Sequence, residues 1–528
     1  MAFTFHVEHF GCRAARADGE AVSDRLRAAG LGEQQPSAAG VVVVNTCSVT
    51  AEADRAARAF IRRAHRLNPE ARIVVTGCYA QRAPEELASL AGVAAVVGNS
   101  HKALAPEIVF GLAQEAEERR LGLKGHDFSR AVSGAKSKRA SAPEACSSPA
   151  PPETPIFSAA SQSTQFPVPT NASSDLAGLV SVASLVAGGS LAPIWADDRF
   201  AHSFLEEAQV VPGAQTRPNL KIQEGCGNRC TFCVIPSTRG PSRSLPHAVV
   251  LRQVEGFVAA GGKELVLSGI NLGRWGRDLP ASVPTGEEAS APRTLANLVR
   301  QIFERTALNR LRLSSIEPMD WDAELIGLMA EFGGGRLARH AHLPLQSGSD
   351  AVLRRMHRRY RPWHYAEKVA ALLRAAGPEL TLGADVMVGF PGETDAEFEE
   401  TFALIEALPF GYLHLFPFSP RPGTPGWTLH AERPVPAEAV EERMAALRAL
   451  AAKKCEIHRR RFVGRELDAI TLRTSAEVDL RARTAALTEN FLPVELEGRH
   501  AANQLVRLRV TGLNADGALE AAASENSM

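Results

Sequence analysis

The chain lacks an excess of charge of either sign, because its 528 residues include 59 Lys and Arg against 59 Asp and Glu. A net charge of zero neither requires nor excludes a polyanionic partner, so any surface for one must be local. The chain also lacks a long apolar run: residues 176–195 are interrupted by Ser, Gly and Pro and fall short of the roughly 20 apolar residues of a spanning helix. Residues 1–6 contain no basic segment before an apolar core. We therefore expect a cytoplasmic protein with no membrane segment.

Cysteine is scarce as well, with eight residues dispersed over the chain, which disfavours a disulfide framework. Three of the eight, Cys226, Cys230 and Cys233, lie close together on a loop after the strand-like run 220–223. A CxxxCxxC loop can place three thiolates on three irons of a 4Fe-4S cluster, whereas iron-sulfur carriers usually use four cysteines. One iron is then open to another ligand. A zinc site would prefer a fourth Cys or His nearby, and none follows.

Three further cysteines follow strand-like runs near the N-terminus. Residues 4–9 precede Cys12, residues 41–44 precede Cys47, and residues 73–75 precede Cys78. Apolar strands separated by helical stretches such as 51–67 predict a doubly wound parallel sheet covered on both faces. Ligands collect beyond the carboxyl ends of such strands, so the three cysteines are expected to meet at one edge. Each cysteine taken alone is as simply explained as a buried, inert residue. If the three form one site, their thiolates suit an iron-sulfur cluster or zinc.

Residues 216 to about 430 alternate strand-like and helical segments. The strand candidates are residues 220–223, 264–267, 310–314, 341–345, 380–388 and 412–418. Six such units without dinucleotide-fold glycines predict an open, partial (β/α)6 barrel with its active site at the carboxyl ends of the strands. The cysteine loop follows the first strand and therefore lies at that end.

The remaining segments differ in composition. Residues 115–215 are rich in Ser, Ala, Pro and Gly and predict a flexible linker or insertion. A helix over 436–461 precedes short strand signals between 464 and 513, which predict a small β-barrel. Residues 453–510 carry 12 Lys or Arg against 8 Asp or Glu, an excess that fits either a phosphate backbone or a solvated surface. The predicted divisions are 1–114, 115–215, 216–450, 451–519 and the tail 520–528.

The cysteine loop resembles that of the radical S-adenosylmethionine (radical SAM) superfamily, and further motifs resemble those of its methylthiotransferase family. These motifs are Asn45-Thr46-Cys47-Ser48-Val49-Thr50, Thr76-Gly77-Cys78-Tyr79-Ala80-Gln81, Gly225-Cys226-Gly227-Asn228-Arg229-Cys230, Leu267-Ser268-Gly269-Ile270-Asn271-Leu272-Gly273, Arg312-Leu313-Ser314-Ser315-Ile316-Glu317-Pro318, His342-Leu343-Pro344-Leu345-Gln346-Ser347-Gly348-Ser349-Asp350, Gly389-Phe390-Pro391-Gly392-Glu393-Thr394 and Phe418-Ser419-Pro420-Arg421-Pro422-Gly423-Thr424. They cover nearly the whole chain apart from 115–215 and the tail.

The resemblance implies two 4Fe-4S clusters. Cys226, Cys230 and Cys233 would hold the one that binds S-adenosylmethionine and splits it to a 5′-deoxyadenosyl radical. An auxiliary cluster on Cys12, Cys47 and Cys78 would supply sulfur, and a C-terminal TRAM barrel would hold RNA. The chain departs from the family at Ala15 and Asp18, where Asn and Glu are common, which leaves the hydrogen bonding of the Cys12 loop open.

The segments 47–50 and 60–69 most resemble the tRNA enzymes that add methylthio to C2 of threonylcarbamoyladenosine beside the anticodon. The implied partners are a tRNA anticodon stem-loop and an electron donor. Alternative substrates are isopentenyladenosine in tRNA and an aspartate of a ribosomal protein. An alternative of another class is a non-catalytic iron-sulfur protein that binds RNA or senses redox state.

Other polar and aromatic residues lie near the predicted mouth of the barrel. Candidate contacts to S-adenosylmethionine are Phe232, Asn271, Glu317 and Gln346. Their simpler roles are to brace the loop, to cap a helix or to act as satisfied core polar groups. Two arginine sets, Arg354, Arg355, Arg358, Arg359 and Arg361, and Arg55, Arg58, Arg62, Arg63 and Arg66, are candidate contacts to RNA phosphates.

Overall fold

The computed structural model describes residues 3–120, 191–200, 216–279 and 293–524. Most of the predicted 115–215 linker lies outside these ranges, as does the end of the tail. In chain order the described residues form a parallel sheet, a central partial barrel and a closed C-terminal barrel. A search of these residues for a helix long and apolar enough to span a bilayer finds none.

The N-terminal unit is a six-stranded sheet in the order β2-β1-β3-β4-β5-β6, with every neighbouring pair parallel. Its strands are β1 (Thr4–His9), β2 (Gly32–Glu33), β3 (Val41–Thr46), β4 (Arg72–Gly77), β5 (Val93–Gly98) and β6 (Ile194–Trp195). Its helices are α1 (Arg13–Ala28), α2 (Ala51–Leu67), α3 (Cys78–Arg82), α4 (Pro84–Ala88) and α5 (Ala105–Arg120), with a 3-10 turn at Asn99–Leu104. Strand β6 comes from the C-terminal part of the predicted linker.

Helices cover both faces of this sheet because its strands are apolar on both sides. Val42 and Val44 face a core shared with α2, whereas Val41 and Val43 face a core shared with α1 and α5. All four valines are fully buried, as expected for a parallel sheet between two helical layers. The predicted doubly wound sheet is confirmed.

The central unit contains six parallel strands in chain order. They are β7 (Asn219–Glu224), β9 (Glu264–Gly269), β10 (Arg310–Leu313), β11 (His340–His342), β12 (Thr381–Val388) and β13 (Phe410–Pro417), with β8 (Arg243–Ser244) antiparallel to β7. The helices are α6 (Ile235–Arg239), α7 (His247–Ala259), α8 (Leu295–Arg305), α9 (Ala323–Phe332), α10 (Asp350–Arg355), α11 (Pro362–Ala376), α12 (Asp395–Ala407), α13 (Pro425–Glu432) and α14 (Ala437–Arg460), with 3-10 turns at Leu272–Arg274 and Pro318–Asp320.

These strands form two ladders, β10-β9-β7-β8 and β11-β12-β13. A parallel bridge between Leu311 and Leu337 continues the array from β10 towards β11. One continuous apolar core underlies both ladders, and the predicted partial (β/α)6 barrel is confirmed. Because the six strands run in the same direction, the segments that follow them share one rim, and that rim positions the site.

The C-terminal unit is a closed barrel in the order β14-β15-β16-β18-β17, which confirms the predicted small β-barrel. Its elements are β14 (Glu466–Thr471), α15 (Ala476–Leu480), β15 (Arg483–Thr488), β16 (Pro493–Glu497), β17 (Leu505–Leu513) and β18 (Leu519–Ala523). The turn after β15 reaches the amino ends of the central strands: Arg339 pairs with Glu489 at 2.6 Å, and the Asn490 amide donates to the Glu379 carbonyl at 3.0 Å. Helix α14 runs across the predicted division at 450, and the predicted domain boundaries stay predictions.

Candidate iron-sulfur and cofactor site

The three N-terminal cysteines lie beyond the ends of neighbouring parallel strands. Cys12 caps α1 after β1, Cys47 follows β3, and Cys78 begins α3 directly after β4. Cys12 is exposed, whereas Cys47 and Cys78 are buried. Gly11 has a φ of 105°, and a Cβ there would overlap the Cys47 side chain, so glycine lets the Cys12 loop lie directly against Cys47. The structure therefore brings the three residues to one edge, as the strand pattern predicts.

Charge from the central unit reaches this edge. Burial raises the pKa of the Cys47 thiol to about 12, and the nearby Cys78 and Cys12 add to the effect, so a thiolate there needs a cationic partner. At Cys78 the Sγ accepts from the Arg239 Nε at 3.2 Å and from the Asn99 amide at 3.4 Å. Arg239 ends α6, six residues after the last cysteine of the central loop.

Arg239 belongs to a buried ion network between the two units. Its Nη1 lies 2.6 Å from Glu224 and 3.2 Å from Asp18, and Lys102 and Lys221 also contact Asp18. Each of these side chains is at most 8% exposed. Three cations face two carboxylates, which leaves one buried positive charge in excess beside Cys78. An anionic, thiolate-bound group at the N-terminal edge matches that excess.

The two departures from the family pattern have structural partners. Asp18 accepts from both lysines and from Arg239, so the shorter carboxylate keeps a central place in the network. The carbonyl of Ala15 accepts a hydrogen bond from the Asn45 side chain. The hydrogen bonding that the sequence leaves open is therefore satisfied at both positions.

The central cysteine loop receives N–H···S hydrogen bonds at all three sulfurs. The Asn228 amide donates to Cys226 and the Ile235 amide to Cys233, both at 3.4 Å. Arg358 donates to Cys230, also at 3.4 Å. Such bonds stabilise the charge of thiolate-ligated clusters and tune their potentials, so the donor set fits an iron-sulfur cluster.

Burial raises the pKa of Cys226, and raises that of Cys233 to about 12. The Asn271 side chain lies 3.6 Å from the Cys226 sulfur. Gly225 has a φ of 72°, and a Cβ there would overlap the backbone of Gly240 and Pro241. The start of the loop is thereby held between β7 and the turn after α6.

The four candidate cofactor contacts occupy different environments. Arg358 donates to both carboxylate oxygens of Glu317 at 2.7 Å. Both residues line an open cavity of about 340 Å³ beside the loop, which Gly227, Asn228 and Cys230 also line. Glu317 is therefore fixed at the cavity that follows the cysteine loop.

Asn271 and Gln346 carry buried oxygen atoms that lack a hydrogen-bond partner among the described residues, Oδ1 of Asn271 and Oε1 of Gln346. Gln346 is 7% exposed and has a φ of 63°, a conformation that is uncommon for residues other than glycine and is associated with functional sites. Two orphaned acceptors at this rim fit a ligand that bears donor groups. Phe232 packs against the main apolar core, which fits its bracing role.

In the arginine run after β11, the central residue, Arg358, points into the protein and does not face solvent. Arg358 is 7% exposed and bonds Glu317 and Cys230, so the phosphate-contact interpretation is wrong for it. The other members form ion pairs: Arg354 and Arg361 with Asp350, Arg355 with Glu397, and Arg359 with Asp320. On α2, by contrast, Arg55, Arg62, Arg63 and Arg66 are exposed.

One compact trio of metal-ligating side chains occurs among the described residues: ligand atoms of His342, Asp385 and His414 lie within 4.8 Å of one another. Neither cysteine triad is that compact.

Comparison with known proteins agrees with this geometry. Residues 4–98 match the family model described as uncharacterized protein family UPF0004, and residues 220–405 match that of the radical SAM superfamily. The chain is 31% identical over 496 residues to the threonylcarbamoyladenosine tRNA methylthiotransferase MtaB of Bacillus subtilis (strain 168), covering 94% of this chain and 90% of that protein. The chain belongs to the radical SAM methylthiotransferase family. The cofactors of this methylthiotransferase are S-adenosylmethionine and two 4Fe-4S clusters.

The chain is also similar to two further relatives and to one solved structure. The MtaB of Aquifex aeolicus (strain VF5) is 30% identical, covering 95% of this chain and 99% of that protein. A tRNA-2-methylthio-N(6)-dimethylallyladenosine synthase of Erythrobacter litoralis (strain HTCC2594) is 31% identical, with coverages of 89% and 87%. The radical S-adenosylmethionine methyltransferase TsrM of Kitasatospora setae aligns with a TM-score of 0.47 and 15% identity over 82% of this chain and 78% of that one. At that TM-score the alignment carries no functional information.

Proposed function

We propose that this methylthiotransferase adds a methylthio group to C2 of threonylcarbamoyladenosine beside the anticodon of tRNA. The observation that carries the proposal is the pair of cysteine triads in one chain, linked by Arg239, which ends the helix after the central loop and donates to Cys78. Near full-length similarity to relatives named for this nucleoside supports the choice of substrate. Such a substrate implies a cytoplasmic enzyme.

In this proposal each triad holds one cluster, Cys226, Cys230 and Cys233 the first and Cys12, Cys47 and Cys78 the auxiliary one. A cluster on the central triad would supply an electron for the reductive cleavage of S-adenosylmethionine, and a cluster on the N-terminal triad would hold the sulfur that is methylated and transferred. Glu317, fixed by Arg358, and the free acceptors of Asn271 and Gln346 then hold and orient S-adenosylmethionine. Phe232 braces the loop behind it.

The RNA partner is an anticodon stem-loop in this proposal. Among the exposed arginines of α2, Arg55 lies near the edge that bears the N-terminal cysteines and offers a phosphate contact there, whereas Arg62, Arg63 and Arg66 lie towards the other end of the helix. In the C-terminal barrel many basic residues already pair with local carboxylates, such as Arg507 with Asp468 and Arg481 with Glu495. The barrel therefore contributes to RNA binding more through its shape and position than through unpaired positive charge. An external electron donor is the remaining partner.

The test uses full-length protein reconstituted with iron and sulfide under anaerobic conditions. It receives S-adenosylmethionine, a low-potential reductant and a stem-loop RNA that carries threonylcarbamoyladenosine, and the nucleosides are analysed by mass spectrometry. We expect 5′-deoxyadenosine together with the 2-methylthio nucleoside. Formation of 5′-deoxyadenosine with an unchanged nucleoside would refute the proposed substrate.

Parallel reactions separate the alternatives. Conversion only of an isopentenyladenosine RNA would assign the chain to the other tRNA branch, to which the Erythrobacter relative belongs by name. Conversion only of a ribosomal-protein substrate would assign it to the aspartate-modifying branch. Absence of 5′-deoxyadenosine with every substrate, despite two intact clusters, would favour the non-catalytic iron-sulfur protein.

A further inference from the structure

Arg13 is a partly buried cation whose charge no neighbour neutralises. It follows Cys12 and begins α1, which packs along β7 of the central barrel. Its side chain makes no hydrogen bond or ion pair with any residue in the described ranges, and its guanidinium lies 5.6 Å from the centre of the Phe491 ring. A guanidinium has five N–H donors, and withdrawing them from water without acceptors is costly. A ligand that supplies acceptors would remove that cost.

The surroundings of Arg13 carry further positive charge. The Phe491 ring also contacts Arg312, whose guanidinium lies 5.3 Å from its centre. Arg312 is fully buried, and its Nη1 has no partner among the described residues. Glu264 is the carboxylate that faces Arg312 at 3.0 Å, and it is shared with Arg217 and Arg310, each at 3.5 Å. Three arginines therefore share one carboxylate, and Arg13 adds a fourth cation.

The carboxylate whose charge acts on Arg13 is already engaged with two histidines. Asp385 is the carboxylate whose charge acts on Arg13, but it lies 3.2 Å from His414 and 3.4 Å from His342 and forms no ion pair with Arg13. Beside it, the Tyr412 ring lies 5.5 Å from that of Phe491. The unneutralised guanidinium thus borders an aromatic surface inside the barrel, a combination that suits a planar ligand carrying an anionic substituent.

We propose that Arg13 binds the carboxylate on the N6 substituent of the modified adenosine and so selects an amino-acid-bearing base over one with an apolar substituent. This inference rests on the proposed function. There Cys12 holds the cluster that delivers sulfur to C2, so the base must approach the edge where Cys12 lies. The N6 substituent leaves the same six-membered ring, which brings its carboxylate within reach of the next residue. The planar guanidinium matches a carboxylate with two parallel hydrogen bonds.

The test compares two RNAs on three reconstituted proteins. One stem-loop carries threonylcarbamoyladenosine, and the other carries the same nucleoside with its carboxylate converted to a neutral amide. The proteins are the wild type, Arg13→Gln, and Arg16→Gln as a matched control, because Arg16 is an exposed arginine of the same helix that pairs with Glu20 at 3.0 Å. Dissociation constants are measured by fluorescence anisotropy at one fixed salt concentration.

We expect the wild type and Arg16→Gln to bind the acid about 10- to 100-fold more tightly than the amide, as for a hydrogen-bonded charged group. Arg13→Gln should bind both RNAs equally. A misfolded fraction does not change the ratio of the dissociation constants of the two RNAs on one protein. If Arg13 had only a structural role, Arg13→Gln would therefore show the same ratio as the wild type. Equal binding of both RNAs by the wild type, or full discrimination by Arg13→Gln, would overturn the inference.

Turnover of the acid RNA separates this inference from the proposed function. Arg13-dependent preference for the acid without methylthiolation would refute the proposed function and leave the anion site standing. Methylthiolation of acid and amide RNAs with equal affinity would support the reaction and remove the role given to Arg13.

Discussion

Arg239 is the side chain through which the central barrel touches the auxiliary cysteines, so Arg239→Gln tests how the two units are coupled. The change removes a fully buried cation that bonds Glu224, Asp18 and the Cys78 sulfur. Removing one partner of a buried ion pair costs about 3 to 5 kcal/mol. Lys102 and Lys221 still match Asp18 and Glu224 in charge, so the loss is that of the charged hydrogen bonds made by Arg239, and we expect about 3 kcal/mol.

The cost should appear locally, because the network joins α1 to the end of β7. A loss of about 3 kcal/mol raises the population of the opened interface about 150-fold. Hydrogen exchange of the backbone amides in α3 and α6 should therefore accelerate about 150-fold. The amides of the C-terminal barrel should keep their wild-type exchange rates. Arg252→Gln is the matched control, since Arg252 is an exposed arginine of α7.

A second readout comes from the auxiliary cluster. Loss of the positive charge and of the N–H···S bond at Cys78 should lower its reduction potential, because the more negative reduced state loses stabilisation. The potential is followed by an anaerobic redox titration with electron paramagnetic resonance. Exchange rates and a potential that both match those of Arg252→Gln would refute the coupling role of Arg239.

Two further perturbations address the cofactor site and the helix before the C-terminal barrel. Glu317→Gln should weaken binding of S-adenosylmethionine by about 10- to 100-fold, because it removes a charged acceptor at the cavity. Titration calorimetry of the reconstituted enzyme measures the dissociation constant. An unchanged dissociation constant would exclude Glu317 from the site. Burial lowers the pKa of His458 from 6.5 to about 4, so stability is full above pH 6.5 and falls as the pH drops towards 4, by up to about 3 kcal/mol. Thermal unfolding at pH 7.5 and pH 5 should show this loss in the wild type and much less of it in His458→Gln, and equal losses in both proteins would contradict it.

The sequence allows prediction of the strand ends and the convergence of the N-terminal cysteines, because both follow from short-range patterns. Short runs of β-branched residues such as Val41–Val44 favour strands that are buried on both faces, and parallel strands bring Cys12, Cys47 and Cys78 to one edge. The local spacing of the central loop likewise predicts its three thiolates. These features depend on neighbours in the chain.

The contacts to the sulfurs could not be predicted, because they join residues far apart in sequence. Arg239 lies 161 positions from Cys78 and Arg358 lies 128 from Cys230. Arg358 stands in a run of arginines that is typical of an RNA-binding surface, and only the packing of α10 and the following turn against the loop reveals that it faces inward. The place of Arg239 soon after Cys233 was a weak signal of proximity to a cluster.

The proposed division of labour assigns sulfur delivery to the N-terminal cysteine triad and radical formation to the central one. A variant with Cys12, Cys47 and Cys78 all changed to Ala, given S-adenosylmethionine, reductant and the threonylcarbamoyladenosine stem-loop, tests it most directly. We predict that about four of the eight irons remain per chain, that 5′-deoxyadenosine still forms, and that no methylthio nucleoside appears. Formation of the methylthio nucleoside by this variant would contradict the assignment of sulfur delivery to the N-terminal triad.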